Sequence, residues 1–427
     1  MFKRGLVLSK NHPLFSIIHS QNKLNPSSVN SQVNKKIIVK RNTVGVYSQY
    51  EYSIGGGESY ISAIISFFIK NGAREVYFFN DTNTSLYNKT LEYYFTPQER
   101  RVIIKKTLDD LKDYKDAFTF FIHMSNRKES NINFRLGKKQ IYHCQFPIDI
   151  NTEWNSSATF RQNYDMIIVN SDFTLKYYKK CSTNHFNPNK IRILYPCCVN
   201  NVDVSLNNSI SLNNSVNNSV NNSMNVNKSG EKIIFVTIGR IFENMKYNNN
   251  NNKYHDIIIR IFNRIQQGYS NYELHIIGSV KSEKWLKYLN NIKNNNNNIF
   301  IHTNLQNNKK NKILEKANYI IHAAGIDKNE DKFPAMFEHF GISIIEGLMY
   351  NCIPICTNGG FPKIYIKDGE NGYLFNTGND LYNIINSILN KSTTLDVNKA
   401  ITINKGIVER FSYKNYCARF NSILMSV

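Results

Sequence analysis

Apolar residues along this chain fall in short runs that alternate with longer stretches of helical spacing. TVGVYS (43–48), EVYFF (75–79), AFTFFIHM (117–124), QIYHCQF (140–146), DMIIVNS (165–171) and IRILYP (191–196) read as strands, with KIIV (36–39) as one more. Each is short, rich in β-branched or aromatic residues and bounded by polar positions. GGGESYISAIISFFIKNG (55–72) has the length and spacing of a helix. After residue 230 the alternation restarts. KIIFVTIGR (232–240), YELHIIGS (272–279), IFIHTNL (299–305), NYIIHAAG (318–325) and IPICT (353–357) read as strands. DIIIRIFNRIQQ (256–267), KWLKYLNNI (284–292), KKNKILEKA (309–317) and the closing YKNYCARFNSILMSV (413–427) read as helices. Strands separated by helices argue for parallel sheets covered on their faces, here in two α/β halves.

The halves are separated by SLNNSISLNNSVNNSVNNSMNVNKSG (205–230), where Asn-Asn-Ser recurs. Such a segment buries too little apolar surface to offset its ordering entropy and reads as a disordered linker. The expected organisation is an extension over 1–37, a first domain over 38–204, the linker over 205–230 and a second domain over 231–390. A helical segment over 391–427 is expected to pack back on the first domain. The Asn runs at 248–252 and 294–298 read as expanded surface loops.

Composition narrows the function classes. Fifty-three Lys and Arg against 32 Asp and Glu give a formal charge of +21. That balance favours polyanionic partners, although compositional drift toward Asn, Lys and Ile accounts for it equally well. No aromatic-interleaved basic motif or helix-turn-helix pattern is present, so specific nucleic-acid binding is not expected. RRVIIKKTLDDLKDYK (100–115) reads as an amphipathic helix, either a solvated face or a peripheral contact with anionic lipid. Seven cysteines in no regular framework, with no C-x-x-C pair, fit neither a disulfide scaffold nor a zinc site. The first residues lack the continuous apolar region of a signal peptide. No apolar run approaches the roughly 18 residues of a membrane span. A cytoplasmic chain is the expectation.

Ligands of open α/β sheets bind beyond the carboxyl ends of the strands, and four features fall there. Gly55-Gly56-Gly57-Glu58 follows a strand and opens a helix, so a ligand could approach its backbone and the positive end of the helix dipole. The bland alternative is a structural turn. Gly239-Arg240 ends a strand, with Lys253 before the next helix, and a guanidinium beside an ammonium suits a diphosphate. Otherwise Arg240 is a solvated loop residue. Gly278-Ser279 is a sharp turn after a third strand. The fourth feature is FEHFGISIIEGL (337–348), where two acids, Glu338 and Glu346, stand in an apolar run. A helix starting at Ser343 would make Glu346 the partner of a capping box, which leaves Glu338 unexplained. Both acids could instead accept hydrogen bonds from the hydroxyls of a nucleotide sugar.

Together these residues resemble a retaining glycosyltransferase of the GT-B fold, glycosyltransferase family 4. Glu338-x7-Glu346 is similar to that family's paired-glutamate signature, and HAAG, IGR with a downstream lysine, and GENGYLF (369–375) stand in the family's order. SIGGGESYISAI, DMIIVNSDFT and ILYPCC resemble pieces of its acceptor-side domain. The resemblance covers residues 40–390 and implies two Rossmann-like doubly wound domains facing a central cleft. It also implies metal-independent transfer of a hexose, with retention, from a UDP- or GDP-sugar to a glycan or lipid-linked acceptor. Its alternative is a catalytically inactive relative that binds a nucleotide sugar or glycan. By the same resemblance, Arg240 and Lys253 would bind the donor diphosphate, with Gly239 and Gly278 beside them. Glu338 would contact the sugar and Glu346 the ribose, while Gly341 and Ile342 offer amides near the phosphates. Gly56 and Gly57 would approach the donor, and His143 or His123 would face the sugar. Lys246 rivals Lys253, because more residues separate Arg240 from Lys253 than the family usually has. Lys363 stands where many members carry a glutamate.

Overall fold

A computed structural model describes residues 42–126, 132–147, 157–182, 187–197, 232–242 and 253–427. The expected extension over 1–37, the strand KIIV, the linker over 205–230, the Asn run at 248–252 and Lys246 lie outside the described residues. The chain divides into two units, residues 1–197 with 413–427, and residues 198–412.

The first unit runs β1 (Thr43–Ser48), α1 (Gly56–Lys70), β2 (Glu75–Phe79), α2 (Thr84–Tyr94), α3 (Pro97–Arg100), β3 (Ile103–Lys106), β4 (Phe118–Met124), β5 (Gly137–Cys144), α4 (Ala158–Asn163), β6 (Met166–Val169), α5 (Asp172–Cys181) and β7 (Ile191–Ile193). Its seven strands are parallel in the order β3-β2-β1-β4-β5-β6-β7. Val46 of β1 faces Phe78 of β2 on one side and Ile122 of β4 on the other.

The second unit runs β8 (Ile233–Ile238), α6 (His255–Ile265), β9 (Tyr272–Gly278), α7 (Glu283–Lys293), β10 (Ile299–Thr303), α8 (Asn307–Leu314), β11 (Tyr319–His322), α9 (Ile342–Met349), β12 (Ile353–Thr357), α10 (Pro362–Tyr365), β13 (Tyr373–Phe375), α11 (Gly378–Leu389) and α12 (Val397–Arg410). Its six parallel strands follow the order β10-β9-β8-β11-β12-β13. Both sheets therefore start in the middle, grow to one side and then reverse. That doubly wound order leaves a crevice beyond the carboxyl ends of the first and fourth strands, β1/β4 and β8/β11.

Central strands such as β1 and β12 are buried at every position, as continuous apolar runs in a sheet covered on both faces must be. Helix α6 buries Ile258, Ile259, Phe262 and Ile265 at helical spacing in the core of the second unit. Helix starts carry their own signals. Ser171 accepts the Thr174 amide, Ser282 accepts the Trp285 amide, and Thr377 with Asp380 forms a reciprocal box.

Several sequence expectations change. Residues 100–115 are not an amphipathic helix: β3 occupies Ile103–Lys106 and a 3-10 turn occupies Asp109–Tyr114. Ile103, Ile104, Lys105 and Lys106 pair in register with β2, and Lys105 and Lys106 cover the rings of Tyr87 and Tyr114. Sheet pairing overrides a local pattern readable as either element. The Asn run at 294–298 is the loop between α7 and β10, as expected, but it is pinned to the core. Buried Asn296 bonds Tyr272 and the Phe262 carbonyl. The segment 391–427 is divided. Helix α12 belongs to the second unit, where Asn404 exchanges hydrogen bonds with Asn371. The last helix, α13 (Tyr413–Met425), belongs to the first unit, with Phe420 against Phe67 and Phe68 and Arg419 over Tyr195.

Candidate functional site

The crevice of the second sheet is built from the loop after β8 and the loop after β11. Strand β8 does not fray at its end, because the ladder continues past it: Ile241 donates to the Ser279 carbonyl at 2.8 Å and accepts from the Lys281 amide at 2.9 Å. The backbone of Arg240 is therefore fixed between bonded neighbours. Gly239 and Gly278 make this closeness possible. A Cβ on Gly278 would lie 2.1 Å from the Gly239 carbonyl oxygen, and one on Gly239 would lie 2.7 Å from Lys253 Cγ. The missing side chain of Gly239 is the passage along which Lys253 reaches inward.

Lys253 meets Glu338 there. Its Nζ donates to Glu338 Oε2 at 2.8 Å, and His322 Nε2, at the end of β11, lies 2.8 Å from the same oxygen. His322 Nδ1 accepts from the Ala324 amide at 3.4 Å, which assigns the ring proton to Nε2 and makes His322 a donor to the acid. Burial and the Lys253 ammonium lower the His322 pKa against the pull of Glu338, so the ring is neutral near pH 7. Burial pushes the Glu338 carboxyl up, but Lys253 and His322 outweigh it and hold the group well below the usual carboxylate range. The cluster is thus one ammonium, one carboxylate and one neutral imidazole. Glu338 Oε1 receives the Phe340 amide at a long 3.3 Å and keeps capacity for another donor.

The backbone of Glu338 is equally constrained. Its carbonyl accepts from the Phe361 amide at 2.9 Å, and Gly360, at φ +68°, packs so closely that a Cβ would lie 2.3 Å from that oxygen. Lys363 pairs with Glu330 at 2.8 Å, and Glu330 also accepts the Gly360 amide at 3.0 Å. An acid from the loop after β11 thus meets Lys363 at the start of α10.

Helix α9 corrects the capping expectation. It begins at Ile342 with Gly341 as its N-cap at φ +97°, and neither Ser343 nor Glu346 caps it. A residue with a side chain at position 341 would be strained and would crowd the Tyr365 hydroxyl. Glu346 falls in the second turn and pairs instead with Lys310 of α8 at 2.8 Å.

In the first unit, Gly56 and Gly57 lie inside the first turn of α1, and Gly55 is extended at φ 178°. None of the three uses the left-handed freedom expected of a glycine-rich loop. The backbone N–H and C=O of Gly55 are both held by the Tyr94 hydroxyl, at 3.1 and 2.9 Å. His143 is fully buried on β5, edge-on to Tyr60, with neither ring nitrogen bonded among the described residues. Burial pushes its pKa down to about 3. His123 Nδ1 lies 2.5 Å from the Tyr164 hydroxyl.

The structure thus brings Lys253 and Glu338 together and adds His322, which sequence reasoning passed over within HAAG. Its one signal was a polar residue ending a buried strand beside the crevice. Among the described residues no group of three or more His, Cys, Asp or Glu is arranged to hold a metal, and no helix is long and apolar enough to cross a membrane.

Comparison with known proteins agrees with this fold. The family model described as Glycosyl transferases group 1 matches residues 221–404, a span that falls on the second unit. A 92-residue stretch is 35% identical to the alpha-1,3/1,6-mannosyltransferase ALG2 of Dictyostelium discoideum, covering 21% of this chain and 21% of that protein. The chain therefore matches about a fifth of that relative's length. Among solved structures, Anabaena HepE in complex with UDP and glucose superposes with a TM-score of 0.62 at 12% identity, over 90% of this chain and 100% of that one. A Rickettsia africae glycosyltransferase gives 0.60 at 14% identity, over 90% and 98%. Sucrose-phosphate synthase of Thermosynechococcus elongatus gives 0.58 at 13% identity, over 90% and 99%. The fold is GT-B, two Rossmann-like parallel-sheet units.

Proposed function

We propose that this chain is a retaining glycosyltransferase that moves a hexose from a UDP- or GDP-sugar to a glycan or lipid-linked acceptor. The observation that carries the reading is the Lys253–Glu338–His322 cluster at the carboxyl ends of β8 and β11. Breaking the anomeric bond builds negative charge on the departing diphosphate and positive character on the sugar. Oriented charges and dipoles that meet such developing charge supply most of the rate enhancement of many enzymes. Glu338 accepts sugar hydroxyls through Oε1, while Oε2 is held by Lys253 and His322. Because Glu338 neutralises much of the Lys253 charge, Arg240 and the α9 N-terminus at Gly341 and Ile342 carry a larger share of the diphosphate. Glu346 takes the ribose. The leaving group is stabilised by these groups and not by a bound metal.

The mannosyltransferase relative and the UDP-bound HepE structure set the donors to try. Thermal shift against UDP-glucose, UDP-N-acetylglucosamine and GDP-mannose identifies the donor, since a ligand of the folded state alone raises Tm. Transfer or slow hydrolysis of that donor, lost in Glu338→Ala, supports the reading. Saturable binding with no turnover on any donor or acceptor favours a nucleotide-sugar-binding module instead. The net charge of +21 adds a secondary expectation, peripheral attachment to anionic vesicles that is released by salt.

A further inference from the structure

Lys310 and Glu346 form a nearly buried ion pair between α8 and α9, with side chains 11% and 16% exposed. The pair has no local use. Glu346 lies beyond the first turn of α9 and does not cap it, and Lys310 comes from a different helix. A buried pair contributes little net folding energy relative to apolar residues of the same volume, whereas removing one partner strands the other. Lys310 donates to Oε1 of Glu346, which leaves Oε2 with no hydrogen-bond partner among the described residues. Glu315 and Tyr350 share these surroundings, and the Tyr350 hydroxyl feels both charges of the pair.

We propose that Lys310 is a positioning residue for nucleoside recognition. It holds the Glu346 carboxylate through one oxygen and presents the other to the ribose hydroxyls. It also cancels a negative charge that would otherwise repel the diphosphate of the same ligand. The inference rests on Glu346 being the ribose acid of the proposed function.

The test is calorimetric titration of UDP and GDP, and of their 2′,3′-dideoxy counterparts, into wild type, Lys310→Met, Lys310→Arg and Glu346→Gln. Wild type should prefer the ribose form about 10-fold or more, the size of one charge-assisted hydrogen bond. Lys310→Met should bring that ratio close to one, as Glu346→Gln does, and Lys310→Arg should preserve most of it. Tm measured alongside separates folding from recognition, because a purely structural pair lowers Tm and leaves the ratio alone. If Lys310→Met unfolds, Lys310→Gln at lower temperature gives the same ratio. A ribose preference that survives loss of Lys310 overturns this proposal and leaves the proposed function standing. Binding without ribose preference in wild type overturns the role of Glu346 and this proposal with it. No nucleotide binding at all overturns the proposed function itself.

Discussion

In the first unit Arg135 and Asp165 meet at 2.6 Å, just before β5 and β6, where Asp165 also takes the Gln140 amide. In the second unit Lys253–Glu338, Lys310–Glu346 and Lys363–Glu330 all stand on segments that follow strands. The doubly wound strand order is shared, yet these pairs lie at opposite ends of it. Pairs at the amino ends tie loops together. Pairs at the carboxyl ends sit where helix N-termini converge and where such sheets bind ligands. A pair's position in the fold thus separates a staple from a site better than its distance does, since both kinds are short.

The largest expected effect sharpens this contrast directly. Glu338→Ala should lower kcat on the donor found by thermal shift by about 10²–10³-fold, the usual loss of an oriented polar group in an active site. Arg135→Ala should lower Tm and leave kcat unchanged. Equal losses of kcat at unchanged Tm in both variants would erase the distinction.

Acid comes next. His143 in the first unit and His255 in the second are fully buried, and burial holds both near a pKa of about 3, with Lys253 and His322 adding to the effect on His255. Their folded values lie below the ordinary 6.5, so the unfolded chain binds more protons between pH 6.5 and 3. Stability is therefore full above about pH 6.5 and falls as pH drops through that window. Each histidine should cost about 2 kcal/mol by about pH 5, read as the pH dependence of chemical unfolding. Glu338 has the same sign lower down, its contribution being lost below about pH 4.5. His143→Phe should flatten the first unit's response. If it instead abolishes turnover at unchanged Tm, His143 acts on substrate.

Two glycines of the second unit test the smaller effects. Gly360→Ala should cost about 1–3 kcal/mol, because it adds left-handed strain and pushes the Glu338 carbonyl, so Tm and donor affinity fall together. Gly406 lies within α12 with open space where a Cβ would go, so Gly406→Ala should add about 0.5–1 kcal/mol and raise Tm without touching affinity.

Much of this was readable in advance. The alternation of strands and helices implied two parallel α/β halves, because apolar period and length are local properties of the chain, and the doubly wound order was implied by the family resemblance. Strand β3 was not readable: IIKK carries no preference that survives competition with its neighbours, and only pairing with β2 decides it. Glu338 stood out as an acid in an apolar run. His322 did not, because a single histidine ending a strand is a common core residue until its partner is known.

The sequence by itself determined most of the elements, the two parallel α/β halves, the two glycine-bounded strand ends and the pair of acids, since spacing, turn chemistry and burial preference act over a few residues. Tertiary structure alone decided the partnerships: Lys253 and His322 with Glu338, Lys310 with Glu346, Glu330 with Lys363, and α12 with the second unit. Those contacts join positions tens of residues apart, and a short-range pattern carries no record of which distant charge will neutralise a buried one.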